Sequence, residues 1–327
     1  MMGQILGFGA LFLVSAVLVI RSGITLSRSG DVLAEKTGLG RLWVGTIFLA
    51  IATSLPELVT NISAVRLDAP KLAAGNILGA NMVNVVVLAG LTLLFPRAAM
   101  RPLGRDQRIL GGAALLLTAA VALFTFFPLG LGPISAGSLL LLAGYAGAMA
   151  WVYRSREPAS DPAEPAGDMP LRRAWALFGL GVLGILLGAP LLSYSADALS
   201  ELLGVSGTFI GVLAVALVTT MPETSVTYGS LRLGAHEMAM GNVYGSCAFN
   251  VAILGIADLF YGKPLFASLD RSHLVAVAGA VALMALGLGF LKLRAQGRWG
   301  AARILAALIL AGWVGILYLV FAQGGRA

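Results

Sequence analysis

The chain has 327 residues, 58% of them hydrophobic and only 11% charged, with a mean hydropathy of +0.91. A soluble domain carries about a quarter charged residues, so too little polar surface remains here to wrap a water-facing globule. The net charge of +7 does not signal nucleic acid, because the basic residues fall in short segments between apolar stretches instead of forming one patch.

Apolar stretches of about twenty residues mark membrane-crossing helices. Ten are read in chain order, at 4–26, 41–66, 72–96, 108–127, 135–153, 174–199, 207–232, 239–261, 272–292 and 302–322. The first lacks a basic n-region and outruns an h-region, so it is read as a span and not as a cleavable signal. Between the fifth and sixth, residues 154–173 (RSREPASDPAEPAGDMPLRR) are rich in Pro, Asp, Glu and Arg and have no apolar period. They read as a solvated linker between a first half, 1–153, and a second, 174–327.

Lys and Arg set the orientation. Arg21, Arg28, Lys36 and Arg41 join the groups around Arg101, Arg156 and Arg298 on one side, against Arg66, Lys71, Lys263, Arg271 and Arg326 on the other. Positive residues stay cytoplasmic. The linker is therefore expected inside and both termini outside, in the cell membrane.

The two halves repeat one another. Segment 45–57, GTIFLAIATSLPE, and segment 211–223, GVLAVALVTTMPE, align at an offset of 166, which pairs Gly45 with Gly211, Thr53 with Thr219, Pro56 with Pro222 and Glu57 with Glu223. The same offset pairs Gly75-Asn76 with Gly241-Asn242, Gly79 with Gly245 and Asn84-Val85 with Asn250-Val251. The repeated motifs span 45–90 and 211–256. Five spans per half is an odd number, so the second copy enters the membrane upside down. The expected fold is an all-α membrane protein of ten transmembrane helices in two inverted five-helix repeats.

Glu57 and Glu223 lie in mid-span, where a carboxylate is costly unless a cation or proton compensates it, and no Lys or Arg sits at matching depth. Each follows a proline, which frees backbone carbonyls near Ala50, Thr53, Ala216 and Thr219. Thr53, Ser54, Thr219 and Thr220 add hydroxyls, and hard cations such as Na⁺ and Ca²⁺ take oxygen ligands. A plain proline kink capped by hydroxyls is the alternative. Asn84 and Asn250 recur at equal depth and offer neutral carbonyl oxygens, as ligands or as interhelical hydrogen bonds. Glycines four apart, Gly75 with Gly79 and Gly241 with Gly245, suit close helix packing.

The paired Thr-Ser/Thr-x-Pro-Glu and Gly-Asn…Gly-(Ser/Ala)-x-x-x-Asn segments resemble the repeats of the sodium/calcium exchanger family. That resemblance implies Ca²⁺ bound by Glu57 and Glu223 with Thr53 and Thr219. It implies Na⁺ sites completed by Ser54, Thr220, Ser246, Asn84 and Asn250 with the carbonyls of Ala50 and Ala216. Two departures stand out. Ala80 replaces the usual Ser of the first repeat, and neutral Asn250 resembles the potassium-independent branch.

The function expected is secondary-active Na⁺/Ca²⁺ antiport by alternating access, with the lipid bilayer as surroundings and neither nucleic acid nor an obligate protein partner implied. No cofactor is implied; Ca²⁺ and Na⁺ are cargo. A proton-coupled or other divalent-cation exchanger is the alternative, and a cation channel is less compatible with a doubly negative site. No nucleophile–base pair suggests an enzyme. Three features are set aside: Gly179-Leu180-Gly181-Val182-Leu183-Gly184 has no preceding strand for a dinucleotide loop, Asn61-Ile62-Ser63 is a sequon inside a span, and His236 and His273 near span ends are expected to be solvated.

Overall fold

The computed structural model describes residues 2–94, 102–156, 168–204 and 217–324. Its helices are α1 (Met2–Thr37), α2 (Arg41–Arg66), α3 (Pro70–Leu94), α4 (Arg105–Phe126), α5 (Ala136–Arg154), α6 (Leu171–Leu202), α7 (Met221–Arg232), α8 (His236–Leu259), α9 (Arg271–Ala295) and α10 (Trp299–Gly324). Among the described residues nine helices are long and apolar enough to cross a membrane. Of the expected seventh span, residues 207–216 lie outside the described residues. The expected linker is narrower than its composition suggested: α5 runs to Arg154 and α6 begins at Leu171, while 157–167 lie outside the described residues.

One local expectation is corrected. Helix α1 continues to Thr37 instead of ending near residue 26, so Arg21 and Arg28 sit on the helix and not in a loop. In its polar second half the Thr25 and Ser29 hydroxyls donate to the Arg21 and Thr25 carbonyls one turn back, which satisfies them inside the helix. The fold is all-α as expected, apart from one small hairpin. Gly130–Leu131 and Ile134–Ser135 pair as a small antiparallel hairpin, whose turn uses Gly132 at φ 67°, a conformation that glycine reaches without a Cβ penalty.

Small residues set how closely helices approach. Gly181, Gly184 and Gly188 of α6 face Leu26, Ser22 and Val19 of α1, so Gly181 and Gly184 of the apparent dinucleotide pattern are packing residues, whereas a Cβ on Gly179 would meet no described atom within 4 Å. Ser27 Oγ donates to the Val226 carbonyl at 2.8 Å, tying α1 to α7. Such bonds stabilise membrane helix pairs by about 0.6 kcal/mol on average. One buried cluster joins α1, α6 and the facing parts of α2 and α7. A larger one joins α3, α4, α5, α8, α9 and α10. Helix α8 is its axle, with 94% of its most apolar window buried.

Opposite the linker face, the α2–α3 and α8–α9 loops are clasped together. Lys71 pairs with Asp270 at 2.9 Å, and Asp68 with Lys263 and with the Tyr261 hydroxyl. His273 is buried, not solvated: Nδ1 lies 2.9 Å from Asp270 Oδ1 and Nε2 lies 3.0 Å from the Lys71 carbonyl. Tertiary contact between α3 and α9 covers a ring that its place near a helix end left open. His236 is likewise partly buried.

Candidate cation site

Helix α2 opens with a π-helical turn over Val44–Leu49, a wider coil that often accompanies functional sites, and Ala50 follows it directly. Beside this turn α8 comes in at backbone contact. A Cβ on Gly241 would sit 2.5 Å from the Leu42 carbonyl, and one on Gly245 would sit 2.7 Å from the Thr46 carbonyl. Glycine at both positions therefore lets α8 touch α2. The contact sets Ser246 Oγ 3.5 Å from Thr53 Oγ1. On α3, a Cβ at Gly75 or Gly79 would meet no described atom within 4 Å, so the packing role expected of all four glycines holds only for the α8 pair among the described residues.

The two prolines act differently. Pro56 lies inside a continuous α2, whereas Pro222 sits in the first turn of α7, after a break at Thr220. Glu223 thus begins a helix, where unpaired N–H groups and the helix dipole favour negative charge. Glu57 is embedded in a helix and has no such help. Thr53 Oγ1 donates to the Leu49 and Ala50 carbonyls at 3.1 and 3.2 Å. The Ala50 carbonyl, expected to be freed, is therefore shared with a hydroxyl.

Glu57 and Glu223 are 6% and 1% exposed, and they lie within Coulombic reach of each other. Ser54 Oγ donates to Glu223 Oε1 at 3.2 Å across the helices. Among the described residues the second oxygen of each carboxylate is buried with no hydrogen-bond partner, as are Asn250 Oδ1 and both amide atoms of Asn84. Asn250 Nδ2 is tied to Asn81 Oδ1 at 3.0 Å, so that residue both packs and keeps an oxygen to offer. Thr220 is buried, with its hydroxyl on the Leu217 carbonyl, and Thr219 is partly buried. Ala216 lies outside the described residues.

Three amides beyond the expected ligands bear on the site. Asn61 Nδ2 donates to the Glu57 carbonyl at 2.6 Å, and Asn242 Nδ2 to the Glu223 carbonyl at 3.2 Å, so each acid is gripped by its backbone. Asn81 Nδ2 donates to the Cys247 carbonyl at 3.1 Å. Their signal was available: amides in mid-span seldom lack an internal partner. Which partner each takes was not.

Among the described residues, ion pairs join Asp31 to Arg41, Asp68 to Lys263, and Asp270 to Lys71 and His273; none of these reaches Glu57 or Glu223. No third acid, histidine or cysteine completes a cluster with them among these residues. Two unneutralised carboxylates beside unpaired amide oxygens and hydroxyls form an acceptor-rich cage, suited to a hard cation.

A family model described as sodium/calcium exchanger protein matches residues 8–154 and 173–322. The chain is 27% identical to the sodium/calcium exchanger MaX1 of Methanosarcina acetivorans, over 77% of this chain and 82% of that protein. It is also 27% identical to an uncharacterized membrane protein of Methanocaldococcus jannaschii, over 94% and 97%. A structure of the sodium-calcium exchanger NCX_Mj, soaked with Na⁺ and Sr²⁺, superposes with a TM-score of 0.73 at 24% identity, covering 94% of this chain and 98% of that one, a likeness of fold.

Proposed function

This chain belongs to the sodium/calcium exchanger protein family, and we propose that it exchanges Na⁺ for Ca²⁺ across the cell membrane by alternating access, independently of potassium. The observation that carries this reading is the pair of buried carboxylates, Glu57 and Glu223, each with an unpartnered oxygen and no cationic neighbour among the described residues. In this reading Ca²⁺ sits between the two acids with Thr53 and Thr219. Ser54, Thr220, Ser246, Asn84, Asn250 and the carbonyls of Ala50 and Ala216 serve Na⁺.

Electrostatics then makes the protein an exchanger instead of a leak. An empty site carries two negative charges, and an occluded state with both bare is prohibitive. One Ca²⁺ cancels them, and so do two Na⁺. Only loaded forms cross. Three Na⁺ per Ca²⁺ would leave one positive charge on the Na⁺ form and make transport electrogenic. In this reading the separate cluster of α1 and α6 is the body that rocks against the rest, and the bias of the basic residues supports a cytoplasmic linker with both termini outside.

Reconstitution in liposomes tests the reading, with ⁴⁵Ca²⁺ uptake measured under imposed Na⁺, K⁺ and pH gradients. Uptake driven by outward Na⁺ and indifferent to K⁺ is expected. Uptake that ignores Na⁺ and follows the pH gradient would assign a proton-coupled exchanger, and flux without any counter-ion would assign a channel.

A further inference from the structure

The offset of 166 sets Asn81 and Asn84 of α3 against Cys247 and Asn250 of α8, and three of these four equivalent positions carry an amide. We infer that Cys247 is a positioning residue that sets the counter-ion affinity of the site through Asn84. A thiol where the repeat has an amide leaves Asn84 untied, and this makes Asn84 the weaker Na⁺ ligand of the Asn84–Asn250 pair. This rests on both asparagines serving Na⁺, as proposed above.

Asn81 makes two bonds to α8. Its Nδ2 donates to the Cys247 carbonyl at 3.1 Å, and its Oδ1 accepts from Asn250 Nδ2 at 3.0 Å. By the repeat, the first bond has a counterpart from the Cys247 side chain to the Asn81 carbonyl, and the second has one from Asn84 Nδ2 to the Cys247 side chain. The thiol makes only the first, with Sγ 3.8 Å from the Asn81 carbonyl. Sulfur is a weak acceptor, and a thiol has no carbonyl arm to offer a second helix residue. Asn84 lies beside that thiol and is 1% exposed. Among the described residues neither of its amide atoms has a hydrogen-bond partner. The Asn250 amide is thus fixed by its nitrogen with the oxygen free, whereas the Asn84 amide is fixed at neither end. A tied amide meets an arriving cation with its oxygen already aimed, and an untied one must first give up its rotation. Ca²⁺, held mainly by the two acids, feels that difference much less.

The test is ⁴⁵Ca²⁺ uptake by the full chain in liposomes, titrated with internal Na⁺. Cys247→Asn supplies the missing acceptor in a side chain of similar size. It should lower the Na⁺ concentration for half-maximal uptake about fivefold, the effect of one neutral hydrogen bond, with the maximal rate and the Ca²⁺ dependence changed much less. Cys247→Ser, whose hydroxyl also accepts, should shift the titration the same way by less, and it decides the matter if Cys247→Asn does not fold. Cys247→Ala leaves Asn84 untied and should leave the titration in place. With Asn84→Ala present, Cys247→Asn should have no effect on Na⁺. Gel filtration and circular dichroism confirm that each variant is folded. An unmoved titration in both acceptor variants, an equal shift in Cys247→Ala, or a shift that survives Asn84→Ala overturns the proposal while exchange itself stands. Wild-type uptake that ignores Na⁺ overturns the exchange reading, and the role of Cys247 with it.

Discussion

Asn81 and Cys247 stand at equivalent positions, 166 residues apart, and hydrogen-bond to one another: Asn81 Nδ2 donates to the Cys247 carbonyl at 3.1 Å, and Cys247 Sγ lies 3.8 Å from the Asn81 carbonyl. Residues that touch their own repeat counterparts mark the pseudo-two-fold axis, and Thr118 with Met284 marks it again. Asn81→Ala should remove one of the bonds on the Cys247 carbonyl and unpair the Asn250 amide, and cost about 1–3 kcal/mol. Cys247→Ala keeps the accepting carbonyl and should cost much less. Thermal unfolding in detergent distinguishes the two; equal losses would mean that the side chain of Asn81 does not hold the axis.

Asn250→Asp should bring in pH dependence. Asn81 Oδ1 accepts from Asn250 Nδ2, and the amide of Asn81 is fixed by its bond to Cys247. A carboxylate there would face a carbonyl oxygen and must take a proton or an extra cation. Flux should fall as pH rises, or require K⁺. A profile unchanged in both respects would show that Asn250 only packs.

Glu57→Gln and Glu223→Gln each remove half of the site charge while nearly preserving volume. At subsaturating Ca²⁺ each should slow transport by about a hundredfold or more, while the protein elutes as a single peak on gel filtration. Transport close to wild type in either variant argues against a two-carboxylate site.

Ala80→Ser should strengthen Na⁺ binding. Thr53 and Ser246 place two hydroxyls 3.5 Å apart; their repeat counterparts are Thr219 and Ala80, and alanine brings no hydroxyl. The added oxygen should lower the Na⁺ concentration for half-maximal Ca²⁺ release about fivefold, with Ca²⁺ affinity little changed, and Ser246→Ala should raise it. An unmoved Na⁺ titration would mark Ala80 as a packing residue.

Asp270 caps α9 and pairs with Lys71 and His273. Burial pushes its carboxyl up, but hydrogen bonds from Ser272, Lys71 and His273 outweigh this and hold it well below the usual carboxylate range. A depressed folded value gives stability that is complete above the unfolded value near 3.9 and is lost as pH falls below it. Asp270→Ala should therefore cost about 1 kcal/mol at pH 7, a difference that shrinks below about pH 4. A constant difference across that range would mean that ionisation contributes nothing.

The sequence by itself determined the membrane class, the repeat and the two acids. Those rest on composition, on run length and on rare polar residues recurring at one offset, all of which survive without knowledge of contacts. Tertiary structure decided the rest. The π-helical turn, the full length of α1, the hold of Asn61 and Asn242 on the acids' carbonyls, the Ser54–Glu223 bond and the burial of His273 left no pattern in the chain. In a bilayer both faces of a helix are apolar, so periodicity does not tell which face meets a neighbour. The rotation of each helix is set where glycines let backbones touch and where buried amides find partners, and only the packed helices specify those meetings.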